Sequence, residues 1–314
     1  MDILLYGLLF VFGIILLTKG ADWVTEYASK LAREMGISEF VIGITLVAVA
    51  TSLPELSVSI ISAFTGVVNI ATGTIIGSNV SNICLIIGVS ALIAPLATYH
   101  EYMKEGFVML LFSILSAFLI LDGLIWYEGM ALIGVLILYI ILLSKKQEKP
   151  SIAERISRHM KRKARNRKIK YSVFSIAGGL LVVFGAKLLI DSTIFIAGSL
   201  GISEFIIAII VIAIGTSLPE FATSITAVRK GLRGIAIGNI IGSNIFNLSI
   251  LGLSSLVSVI PVTAHIITID LPIMLVVSAL LLLFIRTKWN ISRIEGAFLL
   301  GFYAVFVALQ FVRI

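Results

Sequence analysis

The chain has 314 residues, 59% of them hydrophobic and only 13% charged, with a mean hydropathy of +1.12. Soluble domains carry roughly a quarter charged residues, so this composition excludes an ordinary soluble fold and points to a bilayer. The net charge of +7 would suggest nucleic acid, but 12 of the 24 Lys and Arg fall between Lys145 and Lys170, where no aromatics are interleaved for base stacking; the stretch reads instead as a cytoplasmic loop obeying the positive-inside bias.

Apolar runs between polar breaks predict ten transmembrane helices, near 3–28, 39–64, 70–94, 106–122, 126–144, 172–198, 204–228, 235–259, 268–286 and 294–312. The opening run DILLYGLLFVFGIILL has no Lys or Arg ahead of it, and is expected as a retained first span rather than a signal peptide. If residues 145–170 are cytoplasmic, Lys30, Arg33, Lys104, Arg229, Lys230, Arg233, Arg286, Lys288 and Arg293 fall on the same side, and both termini face the exterior of the cell membrane. The lone Cys84 lies in an apolar run, so no disulfide framework is expected. Trp23, Trp126 and Trp289 read as interface anchors, and His100, His159 and His265 as solvated residues at loops and span ends.

Sliding the chain by 165 positions lays residues 36–83 on 201–248 with 25 of 48 identical and no gap. The matches include Pro, Glu, Asn and Ser, which apolar bias cannot supply. Five spans per half is an odd number, so the second half inserts upside down. The fold expected is therefore an all-α integral membrane protein of two inverted five-helix repeats, residues 1–144 and 171–314, joined by the basic loop 145–170. That architecture places binding sites near the bilayer midplane, between the halves.

Within the repeats, TSLPE at 51–55 returns at 216–220. A carboxylate at mid-membrane costs several kcal/mol unless something offsets it. On a helix, Ala48, Thr51, Ser52 and Glu55 share one face, as do Ala213, Thr216, Ser217 and Glu220. Ser78 and Asn82 form an i, i+4 pair on the next span, and Ser243 and Asn247 repeat it. Each polar group offers oxygen, and no His or Cys joins them, a set that suits Ca²⁺, Mg²⁺ or alkali ions. Pro54 and Pro219 deprive the carbonyls of Ala50 and Gly215 of their helix donors, opening the backbone near Ala48–Thr51 and Ala213–Thr216. A competing reading makes S-L-P-E a capping box, with Glu55 returning to the N–H of Ser52. GTIIG at 73–77 and GNIIG at 238–242 read as close helix contacts. Asn79 and Asn244 are expected to support the ligand face, and Asp22 and Lys187, equivalent in the repeat, either to pair across the pseudo-two-fold or to snorkel. Two glutamates carry −2, which one dehydrated Ca²⁺ neutralises. When it leaves, Na⁺, H⁺ or another cation must replace it, and obligatory replacement is antiport.

The doubled GTSLPE and GSN-x-x-N segments resemble the alpha repeats of the sodium/calcium exchanger family of the calcium:cation antiporter superfamily, in its prokaryotic ten-helix form. The resemblance implies exchange of Ca²⁺ for Na⁺ by alternating access, these ions being cargo, with no organic cofactor and no enzymatic step. It implies Ca²⁺ and shared Na⁺ on Glu55 and Glu220, backbone carbonyls from Thr51, Thr216, Ala48 and Ala213, hydroxyls from Ser52, Ser217, Ser78 and Ser243, and an amide from Asn82. The first and sixth spans would slide across the remaining eight, in a protein working as a monomer with lipid and cations as its partners. Asn247 departs from the Asp often found there, which bears on stoichiometry, and Ala50 replaces a more usual Gly. A proton-coupled Ca²⁺ exchanger of the same superfamily is the alternative reading. A cation channel would use the same oxygens, whereas a membrane enzyme would need a nucleophile or metal-activated water, and the sequence has no His-rich, GxSxG or HExxH arrangement.

Overall fold

In lipid, every backbone N–H and C=O must be bonded within its own segment, so the apolar runs become long helices. The computed structural model describes residues 2–65, 68–145, 158–200 and 215–311. Helix α1 (Asp2–Met35) is followed by α2 (Glu39–Ile42), a π-helical turn (Gly43–Val47), α3 (Ala48–Thr51) and α4 (Leu53–Thr65). Next come α5 (Val68–Ser81), a second π-helical stretch (Asn82–Ile87), α6 (Gly88–Ile93), α7 (His100–Leu119) and α8 (Trp126–Lys145). The second half contains α9 (Arg158–Ser199), α10 (Leu218–Arg229), α11 (Arg233–Ser255), a π-helical turn (Ile266–Asp270) leading into α12 (Leu271–Arg286), and α13 (Arg293–Phe311).

Among the described residues eight helices are long and apolar enough to cross a membrane, or nine if the pair Glu39–Thr51 and Leu53–Phe64, bent by 43°, counts as one span. The expected span 204–228 is described only from Gly215, and residues 201–214, including Ala213, lie outside the described residues. Helix α9 starts at Arg158, inside the stretch read from sequence as a connection. Its Lys, Arg and Ala are good helix formers.

Polarity is inverted relative to a soluble protein. Leu4, Phe64, Phe118 and Ile294 are 73, 73, 70 and 82% exposed, whereas Thr51, Ser52, Glu55, Glu220, Asn82 and Asn247 are wholly buried. Helix α11 lies at the centre, 94% of its apolar window being buried, with the span Ala71–Ile93 (78%) beside it. The windows of α1, α8 and α13 are only 11, 17 and 17% buried and face outward.

The halves are interlocked. The strand Leu96–Ala97, after α6, pairs antiparallel with Asn290–Ile291, between α12 and α13. Ile260, after α11, bridges to Leu124, between α7 and α8. Each half thus clips the end of its third span to the other half's turn between fourth and fifth. Helices α1 and α9 run antiparallel and pack closely: a Cβ on Gly20 would meet the Gly178 carbonyl oxygen at 2.7 Å, and one on Gly185 would meet that of Gly13 at 2.8 Å. Gly13 and Gly20 correspond to Gly178 and Gly185 in the repeat, so the contact is self-complementary about a two-fold axis.

Candidate functional site

Both TSLPE segments interrupt their helices at the serine. Ser52 sits at φ −85°, ψ 13° and Ser217 at φ −84°, ψ 2°, off the helical values, and a new helix starts at the next residue. Proline explains the position, because it is tolerated in a first turn, where its missing donor has no partner to lose. The capping box does not form. The Ser52 N–H is bonded to the Ala48 carbonyl at 3.0 Å, and Ser217 makes no side-chain cap. Instead the Ser52 hydroxyl crosses between the halves and donates to Glu220 Oε1 at 2.8 Å.

That bond brings the two segments together. Ser243 donates to the same Glu220 oxygen at 3.4 Å, and its counterpart Ser78 donates to Glu55 Oε1 at 3.3 Å. The Ser78 hydroxyl also lies 3.1 Å from Thr216 Oγ1 and accepts from Ser217 at 3.4 Å. Thr51, Ser52, Glu55, Ser78, Thr216, Ser217, Glu220 and Ser243 therefore form one cluster from both halves. Ala48 lies beside it, its carbonyl accepting the Ser52 N–H and lying 3.3 Å from the Thr51 hydroxyl, whose one proton it shares with Asn239 Oδ1 at 3.2 Å.

The four asparagines close a second ring. Asn79 Nδ2 donates to the Asn244 carbonyl and Asn244 Nδ2 to the Asn79 carbonyl, both at 3.3 Å. Asn82 Nδ2 donates to Asn244 Oδ1 at 3.0 Å, and Asn247 Nδ2 to Asn79 Oδ1 at 3.1 Å. Each bond maps onto its mate by the 165-residue offset. The ring uses the amide nitrogens of Asn82 and Asn247, which turns their oxygens away from it.

Among the glutamates of the cluster and the asparagines of the ring, four buried oxygens are left without a hydrogen-bond partner: Glu55 Oε2, Glu220 Oε2, Asn82 Oδ1 and Asn247 Oδ1. They are two repeat-related pairs, supplied by the signature residues. An unpartnered buried acceptor is costly, and four such acceptors, two of them carboxylate oxygens, make a set that a hard cation satisfies. No group of three or more His, Cys, Asp or Glu occurs among the described residues, so the donors are mixed oxygens rather than a carboxylate or imidazole cage.

Comparison with known proteins identifies the family. A family model described as "Sodium/calcium exchanger protein" matches residues 5–145 and 170–312. The chain belongs to the sodium/calcium exchanger family. It is similar to the sodium/calcium exchanger MaX1 of Methanosarcina acetivorans, 34% identical over 97% of this chain and 98% of that one. It is also similar to the inner membrane protein YrbG of Escherichia coli, 33% identical over 98 and 97% of the two chains. A structure of the sodium-calcium exchanger NCX_Mj soaked with Na⁺ superposes with a TM-score of 0.86 at 34% identity, covering 98% of this chain and 99% of that one.

Other expectations for this exchanger meet different outcomes. GNIIG packs as expected, Gly238 and Gly242 lying against the backbone of Phe40 and Ile44. Gly73 and Gly77 of GTIIG have no such neighbour among the described residues; residues 205 and 209, the counterparts of Phe40 and Ile44, lie outside them. Asp22 pairs with Lys230 at 2.9 Å rather than with Lys187, because the end of α10 lies against α1. His265 is not solvated: its side chain is 17% exposed and its Nε2 lies 3.7 Å from Asp270. Trp23 packs edge-on against Phe174 of α9 and so serves a helix contact. Sequence reading passed over Asn239 and Ser224, which are hydrogen-bonded at 3.1 Å beside the cluster. The signal was available, as Asn239 stands where the first half has Thr74.

One consequence concerns Asn247. A protonated Asp at this position would keep the bond to Asn79 Oδ1, while an ionised one would set two acceptors against each other. Asn247→Asp is therefore expected to resemble the unmodified protein at acidic pH and to diverge from it as pH rises, with Ca²⁺ binding retained. Na⁺-dependent Ca²⁺ uptake measured across pH checks this; superimposable profiles would refute it.

Proposed function

We propose that this protein is a secondary active antiporter that exchanges Ca²⁺ for Na⁺ by alternating access. The observation that carries the reading is the pair of repeat-related glutamates, linked across the halves by Ser52 and each keeping one unpartnered buried oxygen. Glu55 and Glu220 bind Ca²⁺, whose double charge their own charges balance. Ser52, Ser217, Ser78 and Ser243 supply hydroxyls, Asn82 and Asn247 supply amide oxygens, and backbone carbonyls come from Ala48, Thr51, Ala213 and Thr216. Ala48 contributes by giving up the Thr51 hydroxyl. When Ca²⁺ leaves, Na⁺ replaces it on the same oxygens, because two bare carboxylates at mid-membrane are prohibitively costly.

Halves 1–144 and 171–314 form the two inverted units, with 145–170 between them as a cytoplasmic connection and both termini outside the cell. The antiparallel pair α1 and α9 slides as a body across the rest, and one monomer in the cell membrane suffices. The deciding experiment is ⁴⁵Ca²⁺ uptake into proteoliposomes. Uptake driven by an outward Na⁺ gradient supports the reading; uptake that follows a pH gradient and ignores Na⁺ would make the protein a proton-coupled exchanger. Flux that persists without any counter-cation would make it a channel. Orientation is checked separately, by labelling single cysteines placed in 145–170 from the cytoplasmic face.

A further inference from the structure

The two halves are not equal around the carboxylates. In the second half Asn239, wholly buried on α11, accepts from the Thr51 hydroxyl at 3.2 Å and donates to Ser224 of α10 at 3.1 Å. This one amide stitches three elements: the turn before the Ser52 break, α10 and α11. In the first half the counterparts are Thr74 and Ser59, 2 and 0% exposed, and neither hydroxyl has a partner among the described residues. Thr216, the counterpart of Thr51, bonds to Ser78 instead. Threonine is shorter than asparagine and carries one hydroxyl in place of an amide's donor and acceptor ends, so it cannot span two helices in the same way.

Because the halves are inverted, these two places lie on opposite sides of the glutamates. The Asn239 bridge is toward the membrane face where α10 ends and α11 begins, at Lys230 and Arg233. The Ser59 and Thr74 pair is toward the other face. We propose that the Thr51–Asn239–Ser224 bridge holds closed the route from the ion site to the Lys230 face, so that Asn239 is a positioning residue making exchange unequal at the two faces. An ion leaving by that route must part α10 from α11 and so break the bridge. On the other side Ser59 and Thr74 form no such bridge between α4 and α5, and their two free hydroxyl oxygens are available to hydrate the ion. This inference rests on the exchange reading for its transport consequences, but the bridge itself can be tested without transport.

The test uses the full-length protein and swaps the two positions. The state open to the Lys230 face is less populated while the bridge holds, so the apparent KM for Ca²⁺ at that face is raised. Asn239→Thr is expected to lower KM there and raise it at the opposite face, changing their ratio about fivefold for one net hydrogen bond. Thr74→Asn adds a bridge on the other side and is expected to move the ratio in the same direction. The double swap is expected to reverse the asymmetry. In each variant the maximal rate of Ca²⁺–Ca²⁺ exchange in oriented proteoliposomes should change less than the KM ratio. A ratio unmoved by both single swaps, or a double swap that does not reverse it, would overturn the proposal. Hydrogen exchange in detergent gives the second readout: Asn239→Thr is expected to speed exchange across Leu218–Arg229 and leave Leu53–Thr65 unchanged, and equal protection in both proteins would overturn it. If the unmodified protein carries no Ca²⁺, the transport reading fails while this measurement still decides the bridge.

Discussion

Glu55→Gln and Glu220→Gln are each expected to abolish Ca²⁺ transport while leaving the protein folded. Glutamine keeps the shape and the Oε1 acceptor, so Ser78 can still donate to position 55, and Ser52 and Ser243 to position 220. The group exchanged for NH₂ is Oε2, which makes no hydrogen bond within the protein. Nothing that holds the fold is lost, and a buried charge is removed. The ion loses far more. Removing one partner of a buried ion pair costs about 3–5 kcal/mol, which is some hundred- to several-thousand-fold in affinity. Two measurements separate these effects. In cation-free detergent the variants should melt at or above the unmodified temperature, and added Ca²⁺, which should stabilise the unmodified protein by mass action, should have little effect on them. Uptake close to the unmodified rate in either variant would remove that glutamate from the site.

The clustering of these glutamates is legible in the sequence because each half states it once. A single SLPE could be a helix cap; a second copy at a fixed offset, in a chain whose halves are inverted by the odd span count of each, requires two acids to approach a common axis. The reciprocal bonds of Asn79 and Asn244, read from sequence as support for the ligand face, come from the same logic, since residues near a two-fold axis meet their own counterparts. The features that escape are those where the symmetry fails or where contact depends on distant packing. Asn239 lies within the repeat but differs from Thr74, and its bridge to Thr51 and Ser224 needs the positions of three helices. Lys230 reaches Asp22 across 208 positions, a proximity created by α10 packing on α1 and by no local pattern. The π-helical turns at Gly43–Val47, Asn82–Ile87 and Ile266–Asp270 also leave no mark in hydropathy, which counts apolar residues without regard to how each turn is bonded.

Gly242→Ala and Gly238→Ala are each expected to be strongly destabilising. A Cβ on Gly242 would lie 2.3 Å from the Ile44 carbonyl oxygen and 2.7 Å from the Ala48 Cβ; one on Gly238 would lie 2.3 Å from the Phe40 carbonyl oxygen. The obstacles are backbone atoms of α2 and the adjoining π-helical turn, and Gly43 on that segment packs back with its own missing Cβ 2.7 Å from the Ile235 carbonyl oxygen. Neither helix can yield by turning a side chain, so the two must separate, at a cost of about 1–3 kcal/mol and toward the upper end of that range. Gly134→Ala is the matched control. It sits on the outer face of α8 with nothing within 4 Å, and replacing an unconstrained helix glycine should stabilise by about 0.5–1 kcal/mol. Apparent melting in detergent should therefore fall steeply for the first two and hold or rise for the third. The same displacement has a functional consequence, because Ile44–Ala48 leads directly into Thr51 and the break at Ser52. Moving that segment off α11 also pulls Thr51 from Asn239 and Ser52 from Glu220. Whatever fraction of Gly242→Ala remains folded should bind Ca²⁺ more weakly, although its oxygen ligands are all intact. A folded Gly242→Ala protein with unaltered Ca²⁺ affinity would show that this helix contact does not set the position of the site.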